Sequence, residues 1–367
     1  MSEQSIPLEM EKLAAVWGAA LAPLICPHCD WRYLAPATDA PAMCSHCCRG
    51  TLTPFTPQPT DPLFHPPELA LPFTLRPEAL AQRIETFAGE IPFAPSDLRA
   101  ETLHERLQRV YLPLWLVDAD VAALWQGEVG YDYEVASHRD RYDENARGWQ
   151  SQRITETRVR WEPRVGQLTR AYHNVPAPAL EEEEALPRDL GLHDLQPAQP
   201  YDAAAVTRAL VRLPNRSPDD AWPDALPALQ QTAARECQQA AAAQHIRDFR
   251  WSPTFSGQHW TLLLQPVFTT YYLDDEGQPQ PLLIHGQTGQ LSGPRRASLK
   301  RAQRTALFIA AVAVLLFVLS VMGMVIGLVL PPVLLLGAIG LLIALALGVG
   351  AVVPLAIVWR FNRKRDA

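Results

Sequence analysis

The most constraining feature of this 367-residue chain is a run of 54 residues, 306–359, without Asp, Glu, Lys, Arg, His, Asn or Gln. About 20 apolar residues suffice to cross a bilayer, so a single helix of this length would be far too long. Pro331 and Pro332 divide the run, because neither residue can continue a helix from the preceding turn. The sequence therefore predicts two membrane-spanning helices, at about 306–330 and 333–359, that form a tight hairpin. A buried hairpin in a soluble protein is the alternative.

Basic residues flank the apolar run on both sides. Residues 295–367 hold nine of the 32 Lys and Arg residues of the chain, but only one acidic residue, Asp366. The positive-inside rule places both flanks, and with them both termini, in the cytoplasm. The N-terminus lacks the basic segment that opens a secretory signal peptide. We therefore predict a multi-pass protein of the inner (cytoplasmic) membrane whose basic flanks also contact anionic lipids.

Four cysteines form two CxxC pairs, with fourteen residues between the pairs. A reducing cytoplasm disfavours disulfides, so these cysteines should be thiolates bound to a metal ion. Four sulfur ligands suit a tetrahedral structural Zn²⁺ and leave no open coordination position for catalysis. The predicted zinc ligands are Cys26, Cys29, Cys44 and Cys47. His28, His46 and Cys48 are spare donors nearby, and we predict that Cys237 is a small buried side chain in a helix.

The charge around these cysteines bears on nucleic-acid binding. Residues 1–50 contain three basic and five acidic residues, and the chain outside 295–367 carries 23 basic against 38 acidic residues, a net charge of −15. Phosphate contacts from basic side chains supply most of the affinity for nucleic acid. A structural or protein-docking role for the metal site is therefore favoured over nucleic-acid binding.

Four regions follow from composition. Residues 1–50 are a leading helix and a zinc ribbon, and 51–72 are a semi-rigid linker, because seven prolines lie between 54 and 72. Residues 73–294 are an α+β cytoplasmic domain, and 295–367 are the basic-flanked transmembrane hairpin.

The α+β prediction for 73–294 rests on helical segments followed by strands. "VYLPLWLVDADVAALW" is a buried strand, and "ITETRVRW" alternates between apolar and charged faces, as in an antiparallel strand exposed on one side. "HWTLLLQPVFTTYYL" and "PLLIHGQTGQLSG" indicate a hairpin around the turn "DDEGQ". An Ala/Gln-rich helix is predicted near 226–248.

No catalytic constellation is complete. His138, Arg139, Asp140 and Asn145 match the spacing of a kinase catalytic loop, but the chain has no G-x-G-x-x-G, no D-F-G and only three lysines. None of the lysines follows a glycine, which excludes a G-K-[ST] phosphate loop, and no G-x-S-x-G is present. We predict no catalytic residues and no bound organic cofactor.

The two knuckles "CPHC" and "CSHC" resemble a TFIIB-type zinc ribbon, although Asp30 and Cys48 stand where such knuckles commonly carry Gly. Together with "VYLPLW", "IHGQTGQLSGPRRASLK" and the C-terminal hairpin, the order of segments resembles a family of bacterial membrane-bound TFIIB-type zinc-ribbon proteins. Members are often labelled primosomal, replication-factor-Y-like helicases, and the missing phosphate loop argues against that label here. The resemblance implies flotillin-like (SPFH-domain) and phage-shock-protein-A-like membrane proteins as partners, with a role in envelope stress or membrane organisation.

The function predicted from these features is a non-enzymatic scaffold or adaptor in the inner membrane. Its zinc ribbon and acidic α+β domain would be presented to cytoplasmic or membrane-associated protein partners. A membrane-tethered nucleic-acid-binding protein is the alternative, and an enzyme with an unrecognised site is a third reading.

Overall fold

The computed structural model describes residues 5–37, 42–57, 65–143, 148–182, 188, 190–328 and 331–363. Its helices are α1 (Ser5–Trp17), α2 (Pro77–Gly89), α3 (Ala100–Glu105), α4 (Ala203–Val206), α5 (Pro218–Ala240), α6 (Leu299–Gly327), α7 (Pro331–Gly350) and α8 (Val353–Arg363). Its strands are β1 (Leu21–Ile25), β2 (Arg32–Pro36), β3 (Thr53–Pro54), β4 (Leu69–Ala70), β5 (Gln108–Asp143), β6 (Gly148–Pro178), β7 (Gln199–Pro200), β8 (Leu210–Arg212), β9 (His245–Leu273), β10 (Pro279–His285) and β11 (Leu291–Ser292). The chain is thus a mixed α+β protein with two long apolar helices near its C-terminus.

All the strands belong to one sheet, whose central order is β11-β10-β9-β5-β8-β2-β1-β3. β1, β2 and β3 carry the cysteine knuckles, and β2 pairs with β8, where Tyr33 lies opposite Arg212. β8 in turn runs parallel to the start of β5, with Val110 opposite Leu210. The cysteine-bearing strands are therefore hydrogen-bonded into the same sheet as the predicted α+β domain.

The Pro-rich segment predicted as a linker contributes to this sheet at both of its described ends. β3 pairs with β1, and β4 pairs with β7 and β9. Residues 58–64 lie outside the described part of the chain. Where it is described, the segment is therefore anchored to the sheet rather than extended between two bodies.

A long arm extends from one end of the sheet and is formed by β5, β6 and β9. β5 and β6 pair from Leu114↔Pro178 out to Asp143↔Gly148, whereas β9 joins β5 only up to Gly130↔His245. Beyond Gly130 the arm has two strands only, and we call this part (131–143 with 148–160) the arm tip. The strands predicted at 110–125 and 154–161 are thus short pieces of much longer strands. The alternating faces predicted for "ITETRVRW" agree with the observed pairing, in which Arg158 and Arg160 oppose Tyr133 and Tyr131.

Helix α5 covers one face of the arm. Ser217 caps its start by accepting a hydrogen bond from the backbone N–H of Asp220 at 3.2 Å, and Pro218 occupies the first helical position. Small residues at Ala221, Ala225 and Ala233 are fully buried, which lets the helix lie close to the strands. The helix predicted near 226–248 in fact begins at Pro218 and ends at Ala240, because β9 already starts at His245.

Helices α6 and α7 pack against each other along small residues. A Cβ added at Gly337 would lie 2.8 Å from the backbone nitrogen of Met324 and 3.0 Å from the carbonyl oxygen of Ser320, so the two backbones are in direct contact there. The outward side chains are apolar and exposed, including Leu307, Phe308 and Leu342. This distribution is the reverse of a buried soluble hairpin, and both helices are long and apolar enough to cross a membrane.

The base of this hairpin packs directly on the domain. Ala297, Ala302 and Val358 belong to the same buried cluster as side chains of α2, α3 and β9, a cluster we call the base cluster. The Asn362 side chain accepts a hydrogen bond from the Ala297 N–H at 3.0 Å and donates one to the Ala297 carbonyl at 3.1 Å. The apolar helices are thereby fixed to the sheet domain by packing as well as by the chain.

Basic residues of the first flank also serve this attachment. Arg295 pairs with Glu90 at 2.5 Å, and the guanidinium of Arg301 donates to the carbonyl oxygen of Ala94 at 2.8 Å. The backbone N–H of Lys300 donates to the carboxylate of Asp275 at 2.9 Å. Part of the positive charge expected to contact lipid is therefore used within the protein.

Candidate metal centre

The two CxxC pairs come together at one end of the strands β1 and β2. The sulfur atoms of Cys26, Cys29, Cys44 and Cys47 all lie within 4.8 Å of one another. The Cys26 and Cys47 sulfurs are 3.5 Å apart, and those of Cys29 and Cys44 are 3.7 Å apart. Four sulfurs at about 2.3 Å from one tetrahedral ion would be separated by about 3.8 Å, whereas a disulfide needs about 2.05 Å. The donor set therefore fits a tetrahedral metal ion and not a pair of disulfides.

Each knuckle closes with the same backbone hydrogen bonds. In the first, the Asp30 N–H donates to the Cys26 carbonyl at 3.0 Å, and in the second the Cys48 N–H donates to the Cys44 carbonyl at 3.1 Å. A further bond runs from the Cys26 N–H to the Trp31 carbonyl at 2.9 Å. The two CxxC pairs are thus equivalent loops, and each presents two sulfurs to the shared centre.

Asp30 and Cys48 adopt the left-handed conformation that glycine usually supplies in such knuckles, with φ values of 57° and 52°. Asp visits this region more readily than most residues, because its short polar side chain can bond locally. Both knuckles therefore have the left-handed turn of a glycine-bearing knuckle, although neither position is glycine.

This conformation gives a test at Asp30, whose side chain is exposed. Asp30→Val should weaken retention of the metal by about 1–2 kcal/mol, because a β-branched residue is strained at positive φ. Competition with a chelator measures the effect. Asp30→Gly is the matched control and should hold the metal at least as tightly as the natural chain. Equal retention by the Val and Gly variants would contradict the left-handed turn.

Side chains of β2 and β8 lie next to the four sulfurs. Tyr33 is fully buried, its hydroxyl lies 3.6 Å from the Cys44 sulfur, and the Ser45 hydroxyl donates to it at 3.2 Å. Arg212 of β8 is also buried, lies over the ring of Trp31 and pairs with Glu182 at 2.9 Å. Burial lowers the pKa of Arg212 to about 10, so it stays cationic at neutral pH. A fixed positive charge therefore lies close to the cluster of sulfurs.

The other potential metal ligands near the centre either pack against neighbouring residues or lie outside the four-sulfur group. The His46 ring stacks on Trp31 with 3.3 Å between ring centroids, and the His28 ring lies against Gly50, where any side chain would collide with it. Cys48 is buried outside the four-sulfur group, and burial raises the pKa of its thiol to about 12. Cys48 is therefore a neutral thiol at physiological pH.

Burial also raises the pKa of Cys29 and of Cys47. A buried thiolate needs a compensating positive charge, and a bound metal ion supplies it while displacing the protons. With four protein ligands the coordination sphere is closed, so such an ion would support the structure rather than activate water.

The sequence identified the four sulfurs but not the residues around them. Tyr33 and Arg212 are separated by nearly half of the chain and meet only through the pairing of β2 with β8. The local sequence of β8 is "LVR", two apolar residues followed by one Arg. A lone Arg in a short apolar strand gave no reason to place it beside cysteines.

No protein-family model, no curated protein and no solved structure matches this chain. The likeness to membrane-bound zinc-ribbon proteins therefore rests on the motifs quoted above.

Proposed function

We propose that this protein is a non-enzymatic scaffold or adaptor of the bacterial inner membrane. It presents its zinc ribbon, acidic sheet domain and arm to cytoplasmic or membrane-associated protein partners. Flotillin-like and phage-shock-protein-A-like proteins are the partners that the family resemblance suggests, with a role in membrane organisation or envelope stress. The proposal is supported by the position of one strand, β5. It pairs with β8, which in turn pairs with the ribbon strand β2, and it also lies between β6 and β9 at the centre of the arm.

The membrane anchor is the hairpin of α6 and α7. Its exposed apolar surface would be costly in water and is favourable in lipid, and the backbone contact at Gly337 keeps the two helices together. Nine basic residues in 295–367 lie at the two ends of the hairpin, which favours a cytoplasmic location for both ends.

A topology experiment tests the anchor. Reporters fused at the N-terminus and at the C-terminus should both give cytoplasmic signals, whereas a reporter inserted after Leu328 should give a periplasmic signal. A periplasmic signal from the C-terminal fusion would mean that only one of the helices crosses the membrane.

The bound ion is Zn²⁺ in this proposal. Four thiolates in a closed tetrahedral set suit Zn²⁺, which has no redox chemistry and no geometric preference of its own. Metal analysis of the purified protein should find one zinc per chain.

The arm tip supplies the docking surface. An isolated two-stranded hairpin has little independent stability in water, so the tip gains most when a partner covers it. Its two faces expose charges of both signs, with Asp132 and Glu134 on one face and Arg158 and Arg160 on the other. Tyr133, also exposed, offers an aromatic anchor of the kind enriched in protein interfaces.

Nucleic acid fits this surface less well. The arginines of β6 alternate with glutamates and pair with them, at 3.4 Å for Arg158–Glu156 and 2.9 Å for Arg164–Glu162. Farther along the strand, Arg170 lies 3.5 Å from Glu236 of α5. An arginine row neutralised in this way does not give the uninterrupted positive potential that phosphate binding needs.

Shortening the arm tests the proposal. Residues 131–160 can be replaced by Asn-Gly, which closes a hairpin between the directly paired Gly130 and Trp161. The shortened protein should enter the membrane and hold zinc, but it should lose the proteins that co-purify with the natural chain by at least about tenfold.

A double substitution on the three-stranded part of the arm, Leu124→Ser with Val165→Ser, is the matched control and should retain those proteins. Salt-sensitive binding of DNA or RNA by the natural chain, abolished in the shortened chain, would instead favour the membrane-tethered nucleic-acid binder.

A further inference from the structure

A cavity of about 490 Å³ lies where β6 ends, and none of the four cysteines lines it. Small-molecule sites commonly have volumes of about 300–1,000 Å³. Its wall is built from β5, the end of β6, the segment 190–195, helix α5 and β9. The main lining groups are Leu112 and Leu114, Pro176–Pro178, Leu190–Leu195, Pro227 and Gln265. Because five parts of the chain meet around it, the cavity is formed by the fold itself.

The segment that forms one lip of the cavity is held in place. The backbone N–H of Asp194 donates to the side-chain oxygen of Gln287 at 2.9 Å, and the Gln287 amide donates back to the Asp194 carbonyl at 2.9 Å. The neighbouring Leu192 is nonetheless 81% exposed. A fixed backbone therefore holds an aliphatic side chain in solvent at the entrance to an apolar cavity.

The charged and titratable groups of the wall leave the cavity without a net charge. Asp224 is paired with Arg216 at 2.5 Å. Burial lowers the pKa of His193 to about 4, and its ring stacks on that of His285, whose pKa burial also lowers. Among the described residues that line the cavity, a ligand with a full charge would find no opposite charge free to receive it.

Two hydrogen-bonding groups remain in the wall. Nε2 of His193 lies 3.1 Å from the carbonyl oxygen of Pro266, so it must carry the proton and donate. Nδ1 of the neutral ring is then an acceptor. The side-chain amide of Gln265 makes no hydrogen bond with the described residues and can both donate and accept.

We propose that this cavity binds an uncharged single-chain amphiphile, such as a fatty alcohol or a similar neutral lipid fragment. Its aliphatic chain packs against Leu112, Leu114 and the prolines at the end of β6. Its hydroxyl or amide head donates to Nδ1 of His193 and exchanges a hydrogen bond with Gln265. The ligand can come from a lipid bilayer or from the aqueous phase.

Photolabelling of the full-length protein in lipid discs tests this assignment. The probes are dodecanol and dodecanoate that carry the same chain diazirine, and peptide mass spectrometry locates the labels. Dodecanol should label peptides containing Pro176–Pro178 and 191–195 about fivefold more than dodecanoate, the ratio expected from one net hydrogen bond. Labelling of α6 and α7 should be similar for both probes and serves as the internal control. Absence of label at the cavity, or equal labelling by both probes, would overturn the proposal.

Two variants localise the site. Leu114→Trp fills the cavity and should abolish labelling there without changing that of α6 and α7, while Val165→Trp on the exposed arm face should have no effect. His193→Leu preserves the apolar wall and should remove only the preference for the alcohol over the carboxylate. This variant therefore tests the proposal even if Leu114→Trp fails to fold and loses its metal. Cavity labelling that persists in Leu114→Trp, or an alcohol preference that persists in His193→Leu, would also overturn the proposal.

The source of the ligand is tested by the route of delivery. The dodecanol probe is either premixed into the disc lipid or presented in the aqueous phase on albumin. Faster labelling by the first route assigns the bilayer, and faster labelling by the second assigns the aqueous phase. Labelling by neither route contradicts the site.

Discussion

Replacing Cys26 and Cys44 together with serine is expected to release the metal and to unfold more than the cysteine knuckles. Structural zinc contributes about 10–16 kcal/mol of apparent binding energy at pH 7, and the four cysteines that would hold a metal ion here are carried by strands that belong to the main sheet. Both cysteines share a buried cluster with Val110 of β5 and Val267 of β9. We therefore expect hydrogen-exchange protection to fall in β8 and in the first residues of β5 as well as in residues 21–54.

The control for this experiment is Cys48→Ser. Cys48 is buried, like Cys26 and Cys44, but lies outside the four-sulfur group, so this variant should keep one metal ion per chain. Full metal occupancy in the Cys26→Ser/Cys44→Ser variant would refute the site. Loss of protection confined to residues 21–54 would leave the metal assignment intact but would mean that the ribbon folds independently of the sheet.

Placing a carboxylate at Ala302 is expected to detach the apolar hairpin from the sheet domain. Ala302 is fully buried in the base cluster, which also contains Leu98 and Leu103. An uncompensated buried charge costs about 3–5 kcal/mol. In Ala302→Glu we expect protease cleavage in 91–98 and raised hydrogen exchange in α2 and α3, with membrane insertion unchanged.

The neighbouring Gln303 offers a matched control, because it is exposed on the same turn of α6. Gln303→Glu adds the same charge at the same distance from the bilayer and should leave the base protected. If both variants behave like the natural chain, the packing of the hairpin on α2 and α3 does not attach the hairpin to the sheet domain.

Composition and local spacing were enough to predict the hairpin helices and the four sulfurs. A run without charged side chains or amides has few folded alternatives, and two CxxC pairs at this spacing are typical of a metal site. Residue counting did not predict which residues of the two helices contact each other. A turn centred between Pro331 and Pro332 would bring Gly327 level with Leu336, whereas Gly327 in fact contacts Leu334, because α7 already begins at Pro331.

The arm could not be predicted, since strands average about five or six residues and β5 has 36. Its alternation is also interrupted, because β-bulges shift the register between Asp118 and Asp120 and between Gln126 and Glu128. Local sequence patterns therefore predicted short pieces of these strands but not their full length.

Gly166 made β6 still harder to predict. It would weaken an ordinary strand, but here the Trp125 ring lies over it and covers the missing side chain.

The attachment of the cysteine-bearing strands to the sheet could not be predicted for another reason. It depends on the pairing of β2 with β8 across nearly half of the sequence, and β8 has only three residues. Long-range pairing of this kind leaves no periodic signal in either segment. The seven prolines between 54 and 72 also favoured a spacer, although β3 and β4 are compatible with proline because they are short and paired at few positions.

The base cluster has a consequence for the order in which the protein can be made. Its members extend from Leu80 to Val358, so its first side chain leaves the ribosome long before its last one has been synthesised. At about 5–20 residues per second, Leu80 waits roughly 15–55 seconds for Val358. During that interval α2 and α3 lack the side chains of α6 and α8 that complete the base cluster. The apolar faces of α2 and α3 therefore stay uncovered until the C-terminal helices have been made, and any delay in making those helices prolongs the exposure of apolar surface on the nascent chain.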